Sequence, residues 1–274
     1  MRSVISLDVV RTLRSSRQRQ RPLALTLHWP AGTANDACRR SLDEEAQWIG
    51  RHLDQRQPVA HFQWRGAAAV AEVQAMMGTL HARFNFFERD RGDYAIDLAP
   101  RHTDWASVGL LRELGFNHVC ISAPDACAGV EPSPLCYRNP APIQSLIDAA
   151  RTFDFRSVSV DLGYGAAWQT LASFESKLDS LITLAPDRLH LFDYARPPRR
   201  YRAQPTQAHS GAMRQLSFER LVAAGYHYIG QGQFARSDDD FTQAQERGNL
   251  RRTGEGFTVH GDCDHISLGD TLLW

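Results

Sequence analysis

The segment Leu23–Arg40, LALTLHWPAGTANDACRR, carries the pattern that decides the fold. It predicts a strand over Leu23–His28, then a loop of small and polar residues, and then a helix that begins at Ser41 with Glu44 as its capping-box partner. In an α/β barrel, reactive groups lie in the loops that follow the carboxyl ends of the strands. This first strand-to-helix loop contains one thiol, that of Cys38, and no array of metal ligands.

The order of strand then helix recurs along the chain. Five more apolar runs predict strands, and all but the last are followed by a helical pattern: Val59–Trp64, Tyr94–Leu98, His118–Ser122, Val158–Leu162 and Leu189–Tyr194. Short apolar runs are typical of parallel strands that are buried on both faces. Repeated β-then-α units predict an α/β fold with right-handed crossovers. Six units favour a partial (β/α)6 TIM-like barrel over a complete barrel of eight units.

Three segments are predicted from the change of pattern along the chain. Residues 1–21 form an N-terminal arm, with a helix over Leu7–Leu13 and an Arg/Gln-rich linker after it. Residues 22–200 form the partial barrel, and residues 201–274 form a short C-terminal extension packed on it. An RNA-binding arm is an alternative for residues 1–21, but no aromatic residue is interleaved for base stacking, which favours a solvated linker.

Composition excludes several partners. The 31 basic and 31 acidic residues balance, so no global field favours nucleic acid or an anionic membrane. No apolar run reaches the length of a membrane span, and the first residues do not form a signal-peptide pattern. The five cysteines, an odd number without close pairing, indicate the reducing cytoplasm.

Common catalytic motifs are absent from the sequence, and we predict no catalytic residue. There is no nucleophile elbow, P-loop, dinucleotide fingerprint or zinc-protease motif. His28 stands at a strand end where a catalytic group could lie, but a framework role is favoured because no partner is apparent. The string His260–His265, HGDCDH, offers metal-type ligands. A charged end of a hairpin over residues 250–268 is the favoured interpretation, and we predict no metal site.

Several strings together resemble a known family. They are Gly115–Asn117 (GFN), Asp161–Gly165 (DLGYG), Ala185–Ala195 (APDRLHLFDYA), Gly225–Gly230 (GYHYIG), Phe234–Asp239 (FARSDD) and Phe257–Asp264 (FTVHGDCD). Together they resemble the oxygen-independent coproporphyrinogen III oxidases, radical-SAM enzymes of haem biosynthesis, over about residues 21–269. The resemblance implies a radical-SAM barrel, a [4Fe–4S] cluster, S-adenosylmethionine (SAM) and oxidative decarboxylation of propionates to vinyl groups.

The cluster motif of that family is missing. Its Cys-x3-Cys-x2-Cys positions fall here on Gly32, Asp36 and Arg39. Three thiolates are needed to hold three irons of the cluster, and Cys38 alone cannot replace them. We therefore predict that cluster and SAM are both lost, and that no cofactor is bound.

Four positions match or partly match SAM contacts of the family: Gly66, Asp97, Arg138 and Asp161. The family's glycine-rich run after the second strand is here Arg65–Ala69, RGAAA, whose added side chains hinder the close approach of a ligand to the backbone. The four positions are therefore interpreted as remnants of a SAM site.

An Arg-rich stretch follows the sixth strand, and Arg199 and Arg200 lie in it. Arginine suits bidentate recognition of carboxylates, and coproporphyrinogen carries four propionates. Both residues are therefore candidate contacts to tetrapyrrole propionates, with an ordinary solvated loop as the alternative.

The resulting hypothesis is a truncated, divergent, non-catalytic relative that works in tetrapyrrole metabolism in the cytoplasm. It would bind a porphyrinogen, a porphyrin, haem or a haem-pathway enzyme. One alternative is an active coproporphyrinogen dehydrogenase with an unrecognised cluster site. Another is a regulatory subunit of a full-length paralogue, and a decaying gene product is a further alternative.

Overall fold

A computed structural model of the chain describes residues 7–30, 36–87, 91–100, 103–122, 140–198, 201, 203, 210–253 and 256–269. They divide into two compact units. Unit 1 comprises residues 1–96, 113–117 and 262–274, and unit 2 comprises residues 97–112 and 118–261. The division of the chain into residues 1–21, 22–200 and 201–274 stays a prediction.

Unit 1 is built on a parallel sheet. Its elements are α1 (Leu7–Arg19), β1 (Leu23–His28), α2 (Asp36–His52), β2 (Pro58–Arg65), α3 (Val70–His81), β3 (Asn85–Phe86), most of β4 (Asp93–Leu98) and the last strand of the chain, β12 (Asp264–Leu268). The strand order is β12-β1-β2-β4, and the short β3 pairs with the start of β2. All these pairs are parallel.

The register of unit 1 separates an apolar face from a polar face. Leu25 pairs with Phe62 and Ile266, which therefore lie on one face of the sheet. Ala24 pairs with His61 and His265 on the other face. The apolar residues are buried, and buried positions of α2 and α3 add to the core. The polar face presents histidine and other hydrogen-bonding side chains.

Unit 2 has a mixed sheet. Its elements are α4 (Trp105–Glu113, whose last residue belongs to unit 1), β5 (His118–Ile121), α5 (Ala141–Thr152), β6 (Ser157–Tyr164), α6 (Leu171–Leu184), β7 (Arg188–Asp193), α7 (Ser210–Ala223), β8 (His227–Gly230), β9 (Gln233–Ala235), α8 (Asp240–Glu246), β10 (Arg251–Thr253) and β11 (Gly256–Thr258). The strand order is β5-β6-β7-β9-β8, parallel up to β7 and antiparallel beyond it. β10 and β11 form a separate antiparallel pair.

All six predicted strands are present, each within two residues of its expected ends. The helix predicted after the fifth strand is present as α6, over Leu171–Leu184. Its N-cap is Thr170, whose hydroxyl accepts a hydrogen bond from the amide of Ser173 at 3.1 Å.

Two predicted helix boundaries are wrong. The helix expected from Ser41 begins at Asp36. The carboxylate of this residue lies in the first turn, where it interacts favourably with the helix dipole. The linker expected after Leu13 is helical as far as Arg19, because this segment packs within unit 1: Ser16 is buried, and its carbonyl accepts a hydrogen bond from the side-chain amide of Gln57 at 3.2 Å.

The predicted hairpin over residues 250–268 is only half correct. The antiparallel pair ends at Thr258, and Asp264–Leu268 forms β12 beside β1 instead. The alternation of inward- and outward-facing side chains around Ile266 and Leu268 matches that of β1. β12 therefore becomes buried by pairing with a strand about 240 residues away in sequence. The amide of Asp264 donates to the Pro22 carbonyl at 2.9 Å and helps to fix this register.

Cys263 lies directly before β12 and is buried. Burial, followed by the charges of Asp262 and Asp264, raises the pKa of this thiol to about 12. The thiol is therefore protonated at neutral pH, whereas thiolates are the nucleophilic and metal-binding form.

One segment of unit 2 depends on a buried ion pair. Arg188 Nε donates to both carboxylate oxygens of Asp239, at 2.9 and 2.8 Å, and the guanidinium lies 3.7 Å from the ring centroid of Phe241. Asp239 also accepts from the Phe241 amide at 2.8 Å and is the N-cap of α8. One carboxylate thus joins β7 to the start of α8.

We expect Asp239→Ala to lower the free energy of unfolding by about 3 kcal/mol, because it removes a helix cap and leaves the mostly buried Arg188 without its carboxylate. Chemical denaturation measures the change. The control is Asp240→Ala, in the exposed first turn of the same helix, for which we expect about 0.5 kcal/mol. Equal effects of the two substitutions would contradict this role of Asp239.

We expect Cys263 to react slowly with iodoacetamide at pH 8. The shift of its pKa from 9.0 to about 12 lowers the thiolate fraction about a thousandfold. The partly exposed Cys38 is the internal control, and peptide mass spectrometry gives the rate at each site. Alkylation of Cys263 in the native protein as fast as in denaturant would refute the assigned burial.

Candidate functional site

A polar cluster of unit 2 surrounds the carboxylate of Asp161. This residue lies in β6 and is 1% exposed. Its neighbours in sequence, Val160 and Leu162, are fully buried on the opposite face of the sheet. A carboxylate in this position requires hydrogen-bond donors, because burial of an uncompensated charge costs several kcal/mol.

Among the described residues, the side chains of Tyr201, Cys120 and His190 lie against the carboxylate of Asp161. The hydroxyl of Tyr201 donates to Oδ2 at 2.5 Å. The thiol of Cys120 donates to Oδ1 at 3.6 Å, and Nδ1 of His190 lies 3.3 Å from the same oxygen. The carboxylate is therefore held by groups from β5, β7 and the segment that follows β7.

The strand register explains why these groups meet. Asp161 and His190 are direct partners in the parallel pair of β6 and β7, so their side chains lie on the same face. Cys120 pairs with Ser159, two residues before Asp161, and therefore shares that face. Only Tyr201 comes from outside the sheet.

An aromatic cluster adjoins the carboxylate. The Tyr201 ring stacks on Phe192 with 4.4 Å between centroids and 10° between planes. Tyr194 and Ala166 complete this buried group, and Trp168 packs against it. Gly163 permits the close packing, since a Cβ there would lie 2.4 Å from the ring of Tyr194. The site therefore combines a buried carboxylate with a buried cluster of packed aromatic rings, of which the neighbouring Trp168 is partly exposed.

The residues at the cluster positions do not fit an iron–sulfur cluster. Gly32 has no side chain and lies outside the described residues. Asp36 and Arg39 lie one turn apart in α2, and Arg39 Nη2 donates to Asp36 Oδ1 at 2.7 Å. Arg39 also lies 3.7 Å from a carboxylate oxygen of Glu72. Thiolates are the ligands that hold these clusters, and neither side chain supplies one.

The predicted SAM remnants are only partly placed. Gly66 has a φ of +99°, and a Cβ there would lie 2.7 Å from the carbonyl oxygen of Trp29, so packing alone requires glycine. Asp97 is buried at the end of β4. Asp161 is the carboxylate described above, and Arg138 lies outside the described residues.

The other predicted sites are less informative. Arg199 and Arg200 lie outside the described residues, directly before Tyr201 in sequence. Among the described residues, no group of three or more histidine, cysteine or acidic side chains is placed to hold a metal ion. Within the same ranges, no helix combines the length and the apolar character that crossing a membrane requires.

Sequence reasoning missed Cys120, His190 and Tyr201 as site residues. A signal was present for the first two, because each is a polar or ionisable side chain inside a short apolar strand. Tyr201 carried no such signal, since its approach to Asp161 depends on the path of the chain after β7.

Known proteins resemble this chain over most of its length. No family model matches it. It is 35% identical over 296 residues to the oxygen-independent coproporphyrinogen III oxidase of Pseudomonas aeruginosa. The aligned region covers 97% of this chain and 64% of the relative. The enzymes of the same name from Synechocystis and Salmonella typhimurium are 27% and 28% identical, and the chain covers 55% and 62% of them.

A solved structure agrees with these relatives. Coproporphyrinogen III oxidase from Escherichia coli, a radical SAM enzyme, matches with a TM-score of 0.82 and 26% identity, over 96% of this chain and 66% of that one. The match confirms the predicted α/β fold class of the radical-SAM type. The chain spans about 64% of the length of its Pseudomonas relative and belongs to the oxygen-independent coproporphyrinogen III oxidase family.

Proposed function

We propose that this chain binds a tetrapyrrole that carries carboxylate side chains and does so without a [4Fe–4S] cluster or SAM-dependent radical chemistry. The relatives are named for a tetrapyrrole substrate, coproporphyrinogen III. The proposed lack of a cluster is supported by the ion pair between Asp36 and Arg39, which occupy two of the three cluster positions.

The ion pair opposes cluster binding for an electrostatic reason. An iron–sulfur cluster needs donors that are negative and polarizable, such as thiolates. Arg39 instead places a positive charge at one of the three cluster positions, and this charge is paired with Asp36, the one carboxylate among those three positions. Both side chains are also well exposed, which favours hydration over metal binding.

The surroundings of Asp161 support the loss of SAM. In this chain both oxygens of its carboxylate accept hydrogen bonds from the protein itself, from Tyr201 and Cys120. A ligand that used the same oxygens would have to displace these donors. Gly66 does not require SAM as an explanation, since it packs against the Trp29 backbone.

Tetrapyrrole binding draws on two features of unit 2. The first is the partly exposed ring of Trp168, which packs against the buried aromatic group of Phe192, Tyr194 and Tyr201 and is suited to stack on a flat macrocycle. The second is the pair Arg199 and Arg200, which directly precede Tyr201 in the chain and are suited to propionates. We propose both arginines as propionate contacts.

The alternative is that the chain retains coproporphyrinogen III oxidase activity. It is favoured by the relatives, which bear that name at up to 35% identity, and would require cluster ligands from elsewhere. A regulatory role beside a longer relative is the remaining candidate from the sequence. Iron analysis and ligand titration separate these possibilities.

We expect the purified protein to contain far fewer than about four irons per chain after anaerobic reconstitution with iron and sulfide, because the thiolate set is missing. Metal analysis and the visible absorption of iron–sulfur clusters give the measurement. The Escherichia coli enzyme serves as the positive control, and the triple variant Gly32→Cys/Asp36→Cys/Arg39→Cys should gain iron. About four irons in the unmodified chain would restore the enzyme alternative.

We expect coproporphyrin III to bind with micromolar or tighter affinity, and Arg199→Ala or Arg200→Ala to weaken binding about tenfold each, since a charge-assisted hydrogen bond contributes about 1.5–3 kcal/mol. Tryptophan quenching and absorbance give the dissociation constants. Arg247→Ala, an exposed arginine of the same unit, is the matched control. Absence of binding to the unmodified chain would refute the proposal and favour a protein partner.

A further inference from the structure

An apolar patch is exposed on unit 2 where α7 meets β8. It consists of Phe218 and Val222, one turn apart on α7, and Tyr228 on β8. Their exposed fractions are 47%, 48% and 44%, and they are half of the large apolar side chains that are exposed among the described residues. The rings of Phe218 and Tyr228 lie 5.5 Å apart between centroids, so the patch is contiguous. Contiguous exposed apolar patches mark interaction sites, whereas single scattered residues do not.

A buried ring supports the patch from below. Phe234 on β9 is 3% exposed, and its centroid lies 5.9 Å from that of Phe218 and 5.0 Å from that of Tyr228. These contacts hold the Phe218 ring in place on the exposed side of α7. An aromatic anchor that is already ordered loses little side-chain entropy when a partner binds.

The surroundings of the patch disfavour an extended peptide or a lipid surface as its partner. β8 is the last of the described strands in the order β5-β6-β7-β9-β8, but the side-chain amide of Gln245 donates to the carbonyls of Tyr228 and Ile229, at 3.4 and 3.3 Å. These carbonyls are therefore less available to an added strand. The charges beside the patch, Arg214 and Glu219, have opposite signs, whereas anionic membranes attract clusters of basic residues.

Helix α7 has the residue spacing of a helix that packs on another helix. Gln215, Phe218 and Val222 are exposed, and their spacing of three and then four residues places them in one row along α7, which we call the seam. Arg214 and Glu219 are also exposed, and at 3.6 residues per turn they lie about 70° to either side of the seam. A seam flanked by charges is typical of paired helices.

The two charges fit a second copy of this chain. When two identical helices pack in parallel about a two-fold axis, a residue beside the seam of one helix faces the residue five positions later on the other. Arg214 and Glu219 are five positions apart, so the pair would form twice across the axis. Antiparallel packing would instead bring equivalent flanks together and oppose like charges. Within one chain Glu219 accepts from the Gln215 amide through Oε1 at 2.9 Å, which leaves Oε2 to accept from an arginine.

We propose that two copies of this chain associate through a parallel pair of α7 helices. Phe218 and Val222 lie at the centre of this contact, and Arg214 of each copy pairs with Glu219 of the other. Two short helices bury a small area, so we expect a weak dimer with a dissociation constant on the order of 10–100 μM. The inference does not rest on the proposed tetrapyrrole binding.

The test is sedimentation of the full chain over a range of concentrations. We expect a reversible shift from one chain to two as the concentration rises through the dissociation constant. Val222→Ser should weaken association about tenfold, because it removes apolar area from the centre of the contact. Leu110→Ser on α4 is the matched control, since Leu110 has the same exposed fraction of 48%, and it should behave like the unmodified chain.

Charge reversal tests the pairing of Arg214 with Glu219. Arg214→Glu and Glu219→Arg should each weaken association about tenfold, because each places like charges opposite one another across the axis. The double variant Arg214→Glu/Glu219→Arg restores opposite charges and should return the affinity to within about twofold of the unmodified chain. Both side chains are exposed, and circular dichroism checks that each variant is folded.

A cross-link tests the orientation. Parallel packing brings each Val222 beside Val222 of the other copy, so Val222→Cys should form a disulfide-linked dimer when oxidised glutathione is added. Ala212→Cys is the control, because Ala212 is exposed on α7 but lies away from the seam. The unmodified chain gives the background from its own cysteines.

The outcomes decide the proposal. A single chain at concentrations well above the expected dissociation constant would refute it. A dimer that is unaffected by Val222→Ser and by both charge reversals would have its interface elsewhere and would also refute it. Failure of the double variant to regain affinity would refute the parallel pairing. Val222→Ser should leave the affinity for coproporphyrin III unchanged, so the dimer and the proposed function can fail separately.

Discussion

The carboxylate of Asp161 is the constraint around which unit 2 is arranged. A carboxylate that is 1% exposed must be matched by donors, and here they come from β5, β7 and the segment after β7. The strands must stay in register for Cys120 and His190 to reach it. Tyr201 ties the chain beyond β7 back to the sheet by the same contact. A shift of one residue in any of these strands would turn its side chain to the apolar face.

Both units separate apolar and polar side chains across a sheet, and the polar faces carry the chemistry. In unit 1, Leu25 and Leu27 lie on the buried face, while Ala24 is flanked by His61 and His265 on the other. In unit 2, Asp161 and His190 lie on the polar face of the sheet, as His61 and His265 do in unit 1. Parallel strands are buried on both faces, so polar side chains inside them require hydrogen-bond partners or ligands. A polar residue within an apolar strand is therefore a stronger indication of function than one in a loop.

The sequence predicted the six strands well because each is a local apolar run, and it failed where the structure depends on distant contacts. β12 was assigned to a hairpin because nothing near Ile266 indicates a partner in β1. The helical extension of α1 depends on burial of Ser16 beside Gln57, which no local propensity encodes. Asp161 was identified through the family resemblance, but the proximity of Tyr201 could not be, since the Pro/Arg-rich stretch before it has no periodic pattern.

The strings that carry the family resemblance have structural reasons of their own. Asn117 of the GFN string bonds to the backbone of Tyr94 at 2.8 Å and of Gly92 at 2.7 Å. Asp187 of the APDRL string accepts from the Val158 amide at 2.7 Å, and Asp239 of the FARSDD string caps α8. Selection for stability would maintain such residues whether or not the iron–sulfur chemistry persists. The resemblance therefore identifies the fold and the family, whereas function has to be argued from particular sites, here the start of α2 with Asp36 and the face that carries Asp161.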